Sequence, residues 1–304
     1  MIELARSSVQ TWECDQMGHM NVQFYVEKSS DAIAALLLTC GLGTRHLAQS
    51  GRAVEPFDTH IRFLRELRPG TPYFLRGGFI GWDMMALTAY CELVQTASGE
   101  VSASFVTKLR SLDVHSRKPH AFDDGVLAMA AHNKVELPVH GAARGLTLDA
   151  PRETAPSMAD ADQMNLLRTF QGVVKPQECD ATGFMQPRFF MARVSDAIPN
   201  LLVQTSGRDR GADTKVGGAA LEYRFIYRKF PRAGDVLAVR SGLRSLGTKT
   251  YVWAHWLIDV ESGEAVATSE AVAVAMDLTT RRAIALPDDL RARLEPLVIS
   301  DLTI

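Results

Sequence analysis

The stretch Glu13-Cys14-Asp15-Gln16-Met17-Gly18-His19-Met20-Asn21 places a carboxylate, an imidazole and an amide within seven residues. A carboxylate can serve as a general base or as a nucleophile, and an imidazole can orient it or carry a proton. An apolar run from Val22 to Cys40 follows at once. Val22, Tyr25, Val26, Ile33, Leu36, Leu37 and Cys40 recur in it at helical spacing, and Gly41 supplies a stop. Apolar residues also occupy the other faces, as expected of a helix buried on all sides. The polar cluster therefore belongs to a loop at the N-terminus of a core helix, with Asn21 placed to cap it. Free N–H groups and the positive end of the helix dipole favour developing negative charge there.

The chain has 304 residues, room for about two domains at ~150 residues each. Hydrophobic residues make up 46% and charged residues 22%, an ordinary globular composition. A formal net charge of −2 lacks the basic footprint of a nucleic-acid binder. No uninterrupted apolar run approaches the ~20 residues that span a bilayer, and the N-terminus lacks a charged-then-apolar leader pattern. Cys14, Cys40, Cys91 and Cys179 are scattered with no CxxC pair, which reads as reduced thiols in a cytoplasmic protein without a zinc site. Cys14 and Cys179 read as small buried residues at strand ends.

An internal repeat organises the whole. Glu13-Cys14-Asp15 returns 165 residues later as Glu178-Cys179-Asp180. At the same shift Gly18 meets Gly183, Phe24-Tyr25 meet Phe189-Phe190, and Asp31-Ala32 meet Asp196-Ala197. Arg62-Phe63 matches Arg224-Phe225, Ser98-Gly99-Glu100 matches Ser262-Gly263-Glu264, and Asp123-Asp124 matches Asp288-Asp289. Each copy is predicted to open with a short strand (8–13; 172–178), followed by the core helix (22–40; 188–198, broken by Pro199). Four strands come next (60–67, 73–79, 86–95 and 101–112; then 221–229, 236–243, 250–260 and 265–276), and a short helix closes each copy (123–132; 288–294). The Ser-Gly-Glu turns imply adjacent antiparallel strands. Residues 158–170 read as a short helix leading into the second copy. The predicted division is residues 1–136, a Pro- and Gly-rich linker at 137–165, and residues 166–304. One sheet cannot cover a helix that is apolar all round, so the economical arrangement wraps the sheet about the helix and pairs the copies as an intramolecular pseudo-dimer.

These residues resemble the hotdog-fold acyl-CoA thioesterases, in a tandem form similar to 4-hydroxybenzoyl-CoA thioesterases. The resemblance rests on Asp15-Gln16-Met17-Gly18-His19-Met20-Asn21, on Gly70 before the strand at Tyr73, and on the Ser-Gly-Glu turns. It covers nearly the whole chain twice and implies an α+β fold, a long central helix wrapped by an antiparallel sheet in each half. It further implies thioester hydrolysis, with Asp15 as general base or direct nucleophile and His19 and Asn21 as catalytic partners. Backbone N–H groups between Gly18 and Val22 would then hold the carbonyl oxygen. CoA enters as part of the substrate, and no other cofactor is implied. In the second copy His19 becomes Phe184 and Asn21 becomes Gln186, so Asp180 marks either a degenerate partner or a second site.

Two other readings share these features. Hotdog enoyl-CoA hydratases use an Asp/His pair, but with a Pro-containing loop of different spacing. A non-catalytic acyl-CoA-binding protein would account for Phe184. The remaining histidines, His46, His60, His115, His120, His132, His140 and His255, show no HxH or HxxxH spacing, so no metal centre is expected. His60 reads as an exposed strand residue. Arg62, Arg65 and Arg68 read as a solvated face or as contacts for CoA phosphates. Gly77-Gly78 and Gly217-Gly218 read as bulges or turns, and Trp82, Trp253 and Trp256 as core packing. The expected associations are an acyl-CoA substrate and a homo-oligomer of pseudo-dimers, without nucleic acid or membrane.

Overall fold

The first strand, β1, spans Ile2–Ser8 and ends where the sequence pattern predicts one to begin. Glu13 accounts for the offset. Its Oε2 accepts the Gln10 N–H at 2.8 Å and closes Thr11–Glu13 into a 3-10 turn. The second copy does the same, with Glu178 accepting from Lys175 N–H at 2.8 Å and Pro176–Glu178 forming the turn. Cys14 and Cys179 therefore lie half-buried after these turns rather than on strand ends, and all four thiols are free.

The computed structural model describes residues 1–206 and 216–304 and divides into two units, Met1–Ala143 and Arg144–Ile304. The first unit continues with α1 (Val22–Thr39), α2 (Thr44–Ser50), β2 (Arg52–Phe63), β3 (Pro72–Trp82), β4 (Leu87–Gln95), β5 (Val101–Asp113), β6 (Pro119–His120) and α3 (Asp124–His132). The second holds α4 (Met158–Gln163), β7 (Leu167–Val173), α5 (Pro187–Ser206), β8 (Val216–Tyr227), β9 (Val236–Leu246), β10 (Thr250–Asp259), β11 (Ala265–Asp277), β12 (Arg282–Ala283) and α6 (Asp288–Leu294). Each unit carries an antiparallel sheet, ordered β1-β3-β4-β5-β2 in the first and β7-β9-β10-β11-β8 in the second. The Ser-Gly-Glu turns join β4 to β5 and β10 to β11, as read from the sequence. The helix predicted over 158–170 stops at Gln163, where Asn165 at φ 55° turns the chain into β7. The strand predicted from His60 begins earlier, at Arg52, after the unforeseen α2.

In the first unit α1 lies along β1, β3 and β4; in the second α5 lies along β7, β9 and β10. A single sheet covers only part of each helix. Phe24, Tyr25, Val26, Ala32, Leu36 and Leu37 are buried, while Asp31, Ala34 and Leu38 form an exposed stripe, so α1 is not enclosed on all sides. Pro199 does not end α5, which runs through it to Ser206. Proline removes one backbone donor, but the turn beyond it is tied to the sheet edge. Asn200 Nδ2 donates to Thr169 O and Gln204 Nε2 to Arg168 O, both at 2.9 Å.

The opposite sheet faces are covered by the segment between the two repeats. In the first unit Arg62 donates to the carbonyls of His140 and Ala142 at 3.0 and 3.1 Å. The buried Glu92 accepts from Tyr90 Oη at 2.6 Å and Arg76 Nε at 2.7 Å, and its Oε2 lies 2.7 Å from His140 Nε2. Burial pushes the Glu92 carboxyl up, but these three partners together hold it below its ordinary value. In the second unit Arg224, the repeat of Arg62, donates to Asp149 O at 2.8 Å. There α4 and the C-terminal residues Leu302 and Ile304 pack on Trp256 and Ile258. His60 on β2 is buried rather than exposed. Gly77-Gly78 are neither bulge nor turn. A Cβ on Gly77 would sit 2.2 Å from Tyr90 O, and one on Gly78 2.4 Å from Asn133 O, so both mark close approach of other backbone. At Gly217-Gly218 in β8 it is side chains that come close, since a Cβ would meet Leu278 and the Tyr251 hydroxyl.

Two buried ion pairs fasten the turns to the helices. Lys28 Nζ, from the second turn of α1, reaches Glu13 Oε1 at 2.6 Å with both side chains largely withdrawn from water. Arg193 of α5 pairs with Glu178 in the same place. Burial pulls the Lys28 ammonium down, yet its bonds to Glu13 and Glu27 outweigh that and leave it raised.

On the helix-facing side of the second sheet His255 is fully enclosed, its Nδ1 2.8 Å from Ser241 Oγ, which lies 2.9 Å from Thr169 Oγ1. Counting back from the Ser-Gly-Glu turns, Cys91 and Gly77 stand there in the first unit, where they pair directly. Burial lowers the His255 imidazole to about 3. Among the described residues no helix is long and apolar enough to cross a membrane, and no cluster of three or more His, Cys, Asp or Glu side chains could hold a metal ion.

Removing Lys28 strands a buried carboxylate, so Lys28→Ala is expected to cost ~3–5 kcal/mol of stability in urea unfolding, and Arg193→Ala a similar amount. His255 stays neutral when folded until about pH 3, whereas the unfolded imidazole takes up its proton near pH ~6.5. The unfolded state thus binds more protons between those values, and stability falls with falling pH by about 1.4 kcal/mol per unit. Urea midpoints measured from pH 7 down to pH 4 are expected to fall less steeply in His255→Gln.

Candidate active site

The loop from Glu13 to Asn21 is a closed hairpin of backbone bonds. Asp15 N donates to His19 O at 3.0 Å, Gly18 N to Asp15 O at 3.0 Å, and Asn21 N to Glu13 O at 2.8 Å. Cys14 and Met20 bridge as an antiparallel pair. Gly18 sits at φ +75°, the left-handed conformation that the tight turn after Asp15 demands. Met20 N donates to Leu67 O at 2.8 Å and so ties the loop to the chain leaving β2. Asn21 caps α1, its Oδ1 accepting from Gln23 N at 3.1 Å.

The structure brings Asp15, His19 and Asn21 together, as their spacing suggests. Asp15 Oδ1 accepts the Met17 N–H at 2.8 Å and faces His19 Nδ1 at 3.8 Å. Among the described residues its Oδ2 accepts no hydrogen bond. The Asp15 side chain is 15% exposed and that of His19 24%, so both are sheltered yet reachable. Gly18 and Asn21 spend their N–H groups inside the loop, and Met20 donates its own to Leu67 O. Among the described residues, His19 and Val22 are the positions from Gly18 to Val22 whose N–H meets no protein acceptor. Gly18 thus shapes the turn, while Val22 opens the helix with its N–H available. A carboxylate oxygen, an imidazole and free donors at a helix N-terminus can attack or deprotonate and then hold a developing oxyanion.

Three further residues enter the site without having been singled out from sequence. Glu66 Oε1 lies 3.7 Å from His19 Nε2, on the side away from Asp15. Tyr25 Oη accepts from Leu67 N at 3.2 Å and anchors that segment to α1. Trp12, on the 3-10 turn, is 75% exposed beside the loop. Arg65 pairs with Glu100 at 2.7 Å.

The second copy keeps the backbone and changes the chemistry. Asp180 N donates to Phe184 O at 2.8 Å, Gly183 N to Asp180 O at 3.0 Å, and Gly183 holds φ +82°. The exposed Asp180 gives its Oδ1 to three donors, Thr182 N at 2.8 Å, Thr182 Oγ1 at 2.6 Å and Phe184 N at 3.3 Å. Phe184, in the place of His19, is buried with the Arg232 guanidinium 4.4 Å above its ring. A cavity of about 540 Å³ in the second unit, flanked by Asp162, Arg168, Asn200 and Arg240, shares no lining residue with either loop.

Comparison with known proteins matches both halves to the thioesterase-like superfamily, over residues 9–129 and again over 174–294. A betainyl-CoA thioesterase of Pseudomonas aeruginosa is 27% identical over 129 residues, covering 41% of this chain and 81% of the relative. Among solved structures, an acyl-ACP thioesterase from Bacteroides thetaiotaomicron superposes with a TM-score of 0.63 at 11% identity, covering 88% of this chain and 96% of that one. The 12:0-ACP thioesterase from Umbellularia californica gives 0.66 at 11% identity, covering 89% and 93%. At such identity the likeness speaks for the fold, two tandem hotdog domains.

The loop geometry is itself testable. Gly18→Ala forces a Cβ into the left-handed region, and Asn21→Ala removes the cap. Each is expected to cost about 1 kcal/mol in urea unfolding.

Proposed function

Because the chain belongs to the thioesterase-like superfamily, with most of both halves matched, we propose that it hydrolyses an acyl-CoA thioester to a free acid and CoA at the loop preceding α1. Asp15 is the general base for water or the direct nucleophile. The observation that carries this reading is its half-sheltered carboxylate, steadied at Oδ1 by Met17 N–H and facing His19, with Oδ2 accepting from no donor among the described residues.

In the reaction an oxygen adds to the acyl carbon, the carbonyl oxygen takes up negative charge, and the C–S bond breaks as the CoA thiolate leaves. Val22 N–H, at the positive end of α1, is the donor best placed for the developing oxyanion. A thiolate departs readily, so the main demand falls on the carboxylate and on that donor. His19 keeps Asp15 in position. Asn21 contributes by ordering the first turn of α1. The Pseudomonas relative is named for a CoA thioester, which makes CoA the carrier of first choice over an acyl carrier protein.

The second loop does not repeat this chemistry. Thr182 occupies the Asp180 oxygen twice over, and an aromatic ring replaces the imidazole. In this reading each chain has one catalytic loop, and the second copy is a structural partner. The chain acts in the cytoplasm.

Free-thiol release from a panel of acyl-CoA thioesters tests the assignment. Asp15→Asn is expected to keep the fold and lose at least ~10²-fold in turnover, the scale of removing a general base, while Asp180→Asn leaves turnover unchanged. Full activity in Asp15→Asn would remove Asp15 from the mechanism.

A further inference from the structure

His19 stands between two carboxylates, not one. Its Nδ1 faces Asp15 Oδ1 at 3.8 Å and its Nε2 faces Glu66 Oε1 at 3.7 Å. Glu66 lies 51 residues beyond Asp15 in sequence, yet it is held to the loop by the backbone on both sides. Arg65 N donates to Ser102 O at 3.1 Å, Leu67 O receives Met20 N at 2.8 Å, and Leu67 N is caught by Tyr25 Oη at 3.2 Å. Leu67 itself is fully buried. The chain thus fixes the Cα of Glu66 while leaving its side chain 38% exposed.

The second copy supplies the control. Met185 N donates to Pro231 O at 2.8 Å just as Met20 N does to Leu67 O, so Pro231 stands for Leu67 and Phe230 for Glu66. His19 is replaced by Phe184 and Tyr25 by Phe190. His19, Tyr25 and Glu66 of the first copy are therefore three phenylalanines in the second. The backbone bonds of the loop, its left-handed glycine and its buried glutamate–cation pair all remain. Glu66 goes with the imidazole, not with the fold.

Building on the reading of Asp15 above, we propose that Glu66 is a positioning residue for thioester hydrolysis, holding the His19 ring by Nε2 so that Nδ1 is presented to Asp15. A carboxylate stands at each ring nitrogen, so the ring plane is set by a point on each side. Both contacts are longer than a hydrogen bond, and catalytic hydrogen bonds commonly tighten as substrate closes on them. Without Glu66 the ring swings, and Asp15 loses the neighbour that keeps Oδ2 aimed.

A double-mutant cycle on the full chain tests this. Wild type, Glu66→Gln, His19→Ala and the double variant are compared for thiol release from whichever acyl-CoA the wild type hydrolyses, with Asp15→Asn as reference. Glu66→Gln is expected to lower kcat by roughly 10- to 100-fold, the scale of misplacing a catalytic group, with KM and melting temperature unchanged. Glu66→Asp should recover part of the loss. In the His19→Ala background the same substitution should cost nothing further. Wild-type kcat in Glu66→Gln, a change in KM alone, or an undiminished loss without His19 would overturn the proposal. An inactive wild type, or a fully active Asp15→Asn, would instead sink the underlying assignment of function. In that case the ¹⁵N shifts of the His19 ring still decide: a ring unchanged by Glu66→Gln would overturn the contact itself.

Discussion

Everything in each half is hung on a carboxylate buried beside a cation, Glu13 with Lys28 and Glu178 with Arg193. The glutamate does three things at once. It closes the 3-10 turn through the N–H three residues before it, it grips the helix cation (Glu13 through its other oxygen, Glu178 through the same Oε2), and its own carbonyl receives the N–H of the cap position. A charge this far from water is tolerable only when its partner is in place, so turn, loop and first helical turns form as one piece. The Asp15 loop is short because both of its ends are already fixed. The two halves reach the same end with different cations. The Arg193 guanidinium extends to Val173 O as well, which a single ammonium would not match with the same rigidity.

That brace separates what the fold requires from what the chemistry requires. Glu178, Gly183 and the loop hydrogen bonds persist in the second copy although His19, Tyr25 and Glu66 have become phenylalanines. Aromatic packing has taken over there. Phe190 meets Tyr227 and Phe230 edge to face at centroid distances of 5.1 and 5.3 Å, and Tyr227 and Phe230 stack at 5.6 Å. The duplicated half retains the architecture while its loop has turned apolar.

The long helix, the loop chemistry and the duplication were legible in the sequence because each is local or periodic. Asp15, His19 and Asn21 fall within one turn-and-cap unit, and the Ser-Gly-Glu signals name their hairpins directly. Contacts set by distant segments were not legible. Glu66 sits beside two arginines in a charged run, and nothing near it in sequence points to His19. Aligning the copies by the backbone around Leu67 and Pro231 is what exposes it. His60 reads as exposed because nothing near it in sequence marks the burial that the fold imposes. Pro199 looked like a helix end because the amides of Asn200 and Gln204, which hold the continuation to β7, carry no periodic signal. The short strand before each loop was displaced because a reach-back by Glu13 or Glu178 is indistinguishable in sequence from one more strand residue.

The placement of Trp12 has an optical consequence. Of the four indoles, Trp253 and Trp256 are buried and Trp82 is half-covered, whereas Trp12 is 75% exposed on the turn that leads into Asp15. The water-relaxed, long-wavelength part of the intrinsic fluorescence therefore originates three residues from the Asp15 carboxylate. Anything that settles over that loop shifts or quenches this emission, so the chain carries its own label for occupancy.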